Sequence, residues 1–166
     1  MLDQKRLHDL LVYDKESGHF RWRVNRSNVL EDDIAGSNGN HGYREIRVDG
    51  KLYLAHRLAW LYVTGSWPKQ TIDHENQNRL DNRWFNLREA THAQNNCNRG
   101  ARSDNKSGVK GIYWHKKNKK WCATIRADGA NKYLGSFDTK EDAHRAYCEA
   151  GQRAFGAYFN AGAIAA

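Results

Sequence analysis

Four residues carry the chemistry open to this chain: Asp73 and His74 side by side, then Asn86, then Asn95. An imidazole that titrates near neutrality can take a proton from water, an effect worth roughly 10²–10⁴ in rate. A carboxylate joined by an amide oxygen suits a hard ion such as Mg2+, which prefers oxygen donors, keeps several waters and needs only one or two protein groups. Such an ion polarises a phosphate and stabilises a leaving alkoxide. These are the parts needed to hydrolyse a phosphodiester. Each has a plainer reading alone: an Asp-His pair at a turn, an Asn before Leu87 in a turn, and Asn95-Asn96 on a solvated helix face. The conjunction sets this run apart.

Local pattern supplies elements to hold them. Ile72-Asp73-His74 reads as a short strand, residues 75–83 as a polar loop, and Asn86-Leu87-Arg88 as the returning strand. Thr91 with Gln94 three residues later has the form of a capping box, so a helix should open there. It would set His92 and Asn95 three apart on one face. Adjacent strand residues point to opposite sides, so Asp73 and His74 can serve together only where the strand ends or bends. Upstream, His19 to Val24 alternates like a half-buried strand. Asp49-Gly50, between Ile46-Val48 and Leu52-Leu54, supplies the positive φ angles of a hairpin turn. His56 to Tyr62 has helical spacing, stopped by Gly65 and Pro68. Downstream, residues 100–107 read as a polar, cationic linker. Val109–Trp114, Lys120–Arg126 and Lys132–Phe137 read as strands. A helix follows with Thr139 as its cap, Glu141 and Asp142 at its positive end, and small alanines that let it lie close on a sheet.

The run from Thr71 to Asn96 resembles the core of the HNH endonucleases, in the branch whose third motif position is Asn. Leu80-Asp81-Asn82-Arg83, Asn86-Leu87-Arg88 and the upstream His56-Arg57-Leu58-Ala59-Trp60 fall in the same register. The resemblance implies a ββα metal site that cleaves DNA. In it His74 is the general base, Asp73 and Asn95 are the metal ligands, and Asn86 braces the loop between the strands. It implies Mg2+, Mn2+ or another divalent ion. Asn96 and His92 remain alternatives to Asn95, and His56 is expected to pack or bind backbone. Residues 107–160 resemble the AP2 DNA-binding domain through Gly108-Val109-Lys110-Gly111, Lys120 to Arg126, Tyr133 to Thr139, and Glu141-Asp142-Ala143 with Ala146-Tyr147. That likeness implies a three-stranded sheet laid in the major groove and backed by one helix. Lys110, Tyr113, Lys120, Thr124, Arg126 and Lys132 are its candidate DNA contacts. Trp114 and Trp121 either touch sugars and bases or fill the core. Arg126 is the leading base reader, because the family carries an Arg at the matching strand position. Plant-type members have more Arg where this chain has Gly111, Tyr113 and Lys132, so their target sequence does not transfer.

Composition agrees. The chain has 166 residues with 27 Lys and Arg against 19 Asp and Glu, a formal charge of +8. The surplus is +2 over residues 1–100 and +6 over 101–166. A cationic C-terminal third fits a polyanion whose condensed counterions are released on binding. Arg21, Arg23, Arg44 and Arg47 could add backbone contacts or be a solvated strand face. Cys97, Cys122 and Cys148 are odd in number and widely spaced, which argues against a disulfide framework and a structural zinc; three reduced, mostly buried thiols are expected. No membrane-length apolar run or apolar leader is present, so a cytoplasmic protein is expected.

The architecture expected is α+β. A β-rich region (1–54) leads into a ββα nuclease core (55–100). A linker (101–107), an AP2-like module (108–160) and a frayed tail (161–166) follow. The function expected is metal-dependent cleavage of double-stranded DNA with no obligate protein partner. The alternative is a non-catalytic DNA-binding regulator that keeps the nuclease fold as scaffold. RNA recognition has no signature here.

Overall fold

In the computed structural model, residues 2–25, 30–102 and 104–162 are described. The fold is mixed α+β, with small antiparallel sheets and four helices. The chain divides into two compact units, residues 1–91 and 92–166.

In the first unit, helix α1 (Gln4–Leu10) opens on Asp3, whose carboxylate accepts from the Arg6 N–H. This helix replaces part of the expected β-rich start. Strands β1 (Leu11–Tyr13) and β2 (Phe20–Trp22) form an antiparallel hairpin. Strands β3 (Ser37–Asn38), β4 (Arg44–Val48) and β5 (Lys51–Leu54) make a three-stranded sheet in that order. The β4–β5 turn is Asp49-Gly50, both at positive φ (46° and 79°). Helix α2 (Ala55–Thr64) follows directly and ends at Gly65 in the left-handed region, where the Gly65 N–H caps the Leu61 carbonyl. Leu7, Leu11, Phe20, Ile46, Val48, Leu58 and Leu61 form the core beneath these elements. Strand β6 (Thr71–His74) pairs antiparallel with β7 (Leu87–Ala90), so that Asp73 faces Arg88 and His74 faces Leu87. Asn86 itself lies in a 3-10 turn (Trp84–Asn86), one residue before β7 begins.

The second unit starts with α3 (His92–Asn98). Strands β8 (Ile112–His115), β9 (Lys120–Ala127) and β10 (Ala130–Phe137) form an antiparallel sheet with β9 in the centre. Helix α4 (Lys140–Phe155) packs on it, burying Ala143, Tyr147 and Ala150 against Val109, Ile112, Ala123 and Ile125. Thr139 caps α4 by accepting from the Asp142 N–H at 3.1 Å. The strand expected from Val109 starts only at Ile112, because Gly111 sits at φ +73° with the Tyr147 ring 2.0 Å from where its Cβ would be. The start of the expected tail is tied down: the Ala161 carbonyl lies 3.2 Å from His144 Nε2, and just before it the Asn160 carbonyl accepts from Lys110. Residues 163–166 of that tail lie outside the described residues. All three cysteines are free, but only Cys122 is buried; Cys97 and Cys148 are half-buried.

Lys110 departs from its expected place on a DNA-facing surface. Its Nζ donates to the carbonyls of Cys97 (2.5 Å), Arg99 (2.7 Å) and Asn160 (3.1 Å). An ammonium has three N–H donors, and all three are spent on the frame. Lys110→Met should strand these carbonyls and lower the unfolding free energy of this unit by about 2 kcal/mol, the worth of hydrogen bonds to a charged donor. Urea unfolding followed by tryptophan fluorescence measures it, and an unchanged midpoint would contradict the role.

Candidate active site

Asp73 and His74 occupy the last two positions of β6, each only 4 % exposed. The strand stops there: the His74 carbonyl accepts from the Gln77 N–H and the chain turns away. Asp73 Oδ2 accepts from Arg88 Nε at 3.0 Å and pairs with the same guanidinium through a second nitrogen, also at 3.0 Å. His74 lies against other partners. Its Nε2 is 3.2 Å from Asn82 Oδ1, and its ring meets His56 edge-on at 5.0 Å and Tyr43 at 6.0 Å. Burial pushes the His74 imidazole below its ordinary pKa, against upward pulls from its Asn82 hydrogen bond and from Asp73. It is therefore neutral at pH 7, the form a general base needs.

Asn86 closes the loop between the strands. Its Oδ1 accepts from the Asn76 N–H at 3.0 Å, and its Nδ2 donates to Asn76 Oδ1 (3.0 Å) and to the Asp81 carbonyl (2.7 Å). The backbone adds a bond from the Glu75 N–H to the Asn86 carbonyl at 2.9 Å. Asp81 is held by Arg83 through a two-point contact at 2.7 and 2.5 Å, which lowers its carboxyl to about 2. A loop with this many internal bonds is preorganised.

His56 is buried in the first turn of α2, and its Nδ1 has no hydrogen-bond partner. Burial, then repulsion from His74 and Arg57, lowers its pKa to about 3. Its ring packs against Tyr43 and His74. His92, Asn95 and Asn96 lie on α3 in the second unit, His92 and Asn96 exposed and Asn95 half-buried. Among the described residues no three His, Cys, Asp or Glu side chains cluster as a metal cage. The donors that remain, the Asp73 carboxylate and amide oxygens, fit a hard ion that takes one or two protein oxygens and keeps its water shell.

On the sheet of the second unit, Ile112, Ala123 and Ile125 face α4, so alternation turns Tyr113, Thr124 and Arg126 to the other side. Arg126 is exposed, and Tyr113 is 45 % exposed. Lys120 shares that outer face but is ion-paired with Asp138. Lys132 pairs in register with Ile125 and binds Asp128 at 2.6 Å. Trp121 packs in the core on the helix side, with Trp114 edge-on at 5.3 Å. The outer face gains two residues that the sequence pattern did not single out: Tyr133, opposite Thr124, and Asn131, opposite Arg126. Asn82 was missed as well, because nothing in its spacing from His74 announces a contact across the loop.

A buried imidazole and carboxylate at the end of a strand pair, with an asparagine bracing the loop, form the arrangement expected of an HNH site. The HNH endonuclease family model matches residues 53–97, the segment that holds β6, β7 and α3. Protein 3.8 of Escherichia phage T7 is 34 % identical over 87 residues, covering 52 % of this chain and 72 % of that protein. An uncharacterized HNH endonuclease of Acanthamoeba polyphaga mimivirus is 30 % identical over 121 residues, covering 72 % of this chain and 62 % of its own length. No solved structure matches the chain. Residues 53–97 thus carry an HNH endonuclease domain, of a family of DNA-cleaving hydrolases that generally use a divalent metal ion. Among the described residues, no helix is long and apolar enough to cross a membrane.

Proposed function

We propose that this chain hydrolyses phosphodiester bonds of double-stranded DNA with a divalent ion, Mg2+ or Mn2+, nicking one strand per engagement. The observation that carries this reading is the neutral His74 buried beside Asp73 where β6 ends. His74 takes the proton from the attacking water. Asp73 and Asn95 would hold the ion, which supplies charge neutralisation at the phosphate and stabilisation of the leaving 3′ oxygen. Asn86 keeps the loop between β6 and β7 closed. The test is supercoiled plasmid incubated with Mg2+ or with EDTA. Open circles formed with the metal and absent with EDTA are expected, whereas direct linearisation would point to paired sites and refute single-strand nicking.

The second unit serves as the reader in this proposal, in the manner of an AP2 domain. Support comes from the exposed Arg126 among Tyr113, Thr124 and Tyr133 on a sheet face turned away from its helix. A base-edge arginine is worth about 1–3 kcal/mol. Arg126→Ala should therefore weaken binding to a cognate duplex about tenfold at fixed salt, with little change in cleavage rate at saturating protein. An equal loss on every sequence would make Arg126 a phosphate contact instead.

The Asp73–Arg88 ion pair favours one other reading, a DNA-binding regulator that keeps the fold without the reaction. Tight binding with no nicking under Mg2+ or Mn2+ would select it.

A further inference from the structure

We infer that Tyr13, Asn82 and His74 form one hydrogen-bonded relay through which the N-terminal hairpin fixes the tautomer and orientation of the His74 ring. The inference rests on the reading of His74 as the base, and it adds positioning residues to it: Asn82, and Tyr13 from outside the segment matched by the family, which begins at residue 53.

Asn82 is almost wholly buried, at 1 % exposure. Its amide nitrogen is committed: Nδ2 donates to the Leu80 carbonyl at 3.2 Å. The atom that faces His74 Nε2 is then the amide oxygen, which can only accept. His74 therefore carries its proton on Nε2 and its lone pair on Nδ1. A ring nitrogen's role is set by the hydrogen bond made by the other nitrogen. Here that bond comes from a neutral amide, which orients the ring without adding charge next to Asp73.

The outer member is Tyr13, in β1. Its hydroxyl donates to the Asn82 carbonyl at 2.6 Å, across 69 residues of sequence. Tyr13 is itself held by stacking on Phe20, with centroids 4.8 Å apart. Two further contacts press the same hairpin on the loop. The Trp84 N–H donates to the Lys15 carbonyl at 3.0 Å. Gly18, at φ +74°, lets its backbone approach so closely that a Cβ there would sit 2.5 Å from Arg83 N and from the Asn82 carbonyl carbon. The hairpin between β1 and β2 is thus a clamp on residues 82–84, and Asn82 hands its rigidity to His74. Asn82 and Tyr13 are positioning residues; the chemistry stays with His74.

The experiment pairs 15N-edited NMR of the full chain, with neither metal nor DNA present, with single-turnover cleavage. In the parent protein, His74 should show a protonated Nε2 with a slowly exchanging N–H and an unprotonated Nδ1. Asn82→Leu should lose that slow N–H signal and cut about 10–100-fold more slowly at saturating protein, with an unchanged Kd for the duplex. Asn82→Asp, which keeps an acceptor, should retain the signal. Tyr13→Phe preserves the packing and removes only the donor to Asn82. It should broaden the signal and slow cleavage by a few fold, which keeps the relay testable if Asn82→Leu does not fold. An Nε2–H that survives in Asn82→Leu, or in Tyr13→Phe a sharp signal with a cleavage rate within error of the parent, overturns the relay. His74→Ala with full cleavage would overturn the base assignment alone, because the NMR readout does not depend on activity.

Discussion

His74→Ala is expected to lower the rate of plasmid nicking by about 10²–10⁴-fold, the worth of a positioned general base. The effect should fall on the chemical step. His74 lies within the first unit at the end of β6, while the basic surplus lies in residues 101–166, so duplex affinity should change by less than threefold. The ring is buried against His56, Tyr43 and Asn82, so its removal also leaves a void and a small loss of stability. Single-turnover cleavage at saturating protein, measured well below the melting temperature of the variant, separates the two effects. If the variant nicks within fivefold of the parent, His74 is not the base. Activity restored by raising the pH would show hydroxide replacing the lost base and would strengthen the assignment.

Acid should unfold the first unit unusually early, and His56 is the cause. Its imidazole is neutral in the folded protein down to about pH 3, whereas in the unfolded chain it takes up a proton near 6.5. Between those values the unfolded state binds one more proton than the folded state, so stability falls as pH falls. It is fully present above about 6.5, and its loss reaches a slope of up to about 1.4 kcal/mol per pH unit in that window. His56→Leu removes the titrating group and the Nδ1 that lacks a partner. The variant should be close to the parent in stability at pH 7.5 and clearly more stable at pH 5. Urea midpoints at the two values decide the matter: parallel losses in parent and variant would place the acid sensitivity elsewhere. Asp81 acts separately and lower, since its contribution through Arg83 is lost only as pH falls from about 4 toward about 2.

Where local chemistry dictates structure, the sequence was readable. Asp49-Gly50 turns the β4–β5 hairpin, Gly65 ends α2, and Thr139 caps α4, because each depends on residues close by in sequence. The strand pair around Asp73 and His74 was readable from the polar loop of residues 75–83 set between Ile72 and Leu87. Helix α1 was not, because seven residues with two buried leucines offer too little periodicity to outweigh the strands that follow. Lys110 was expected to be a DNA contact from its place in the AP2-like segment; only the fold brings three carbonyls around it. The Tyr13–Asn82 bond is invisible for the same reason, since no pattern along the chain links positions 69 residues apart. What a site needs from its own segment can be read in one dimension, and what it borrows from distant segments cannot.

The close passage of Gly111 over the Tyr147 ring sets a boundary on how this protein could be retargeted. In the reader assignment proposed above, position 111 is where plant-type AP2 domains bring an additional arginine. Here a side chain at 111 would have to occupy the space of an aromatic ring that anchors α4 to the sheet. On that assignment, an altered base preference would have to come from positions 113, 124 and 126 and their neighbours on β10. A library built on that face would explore specificity at little cost to folding, while one that included 111 would mostly be selecting for survivors.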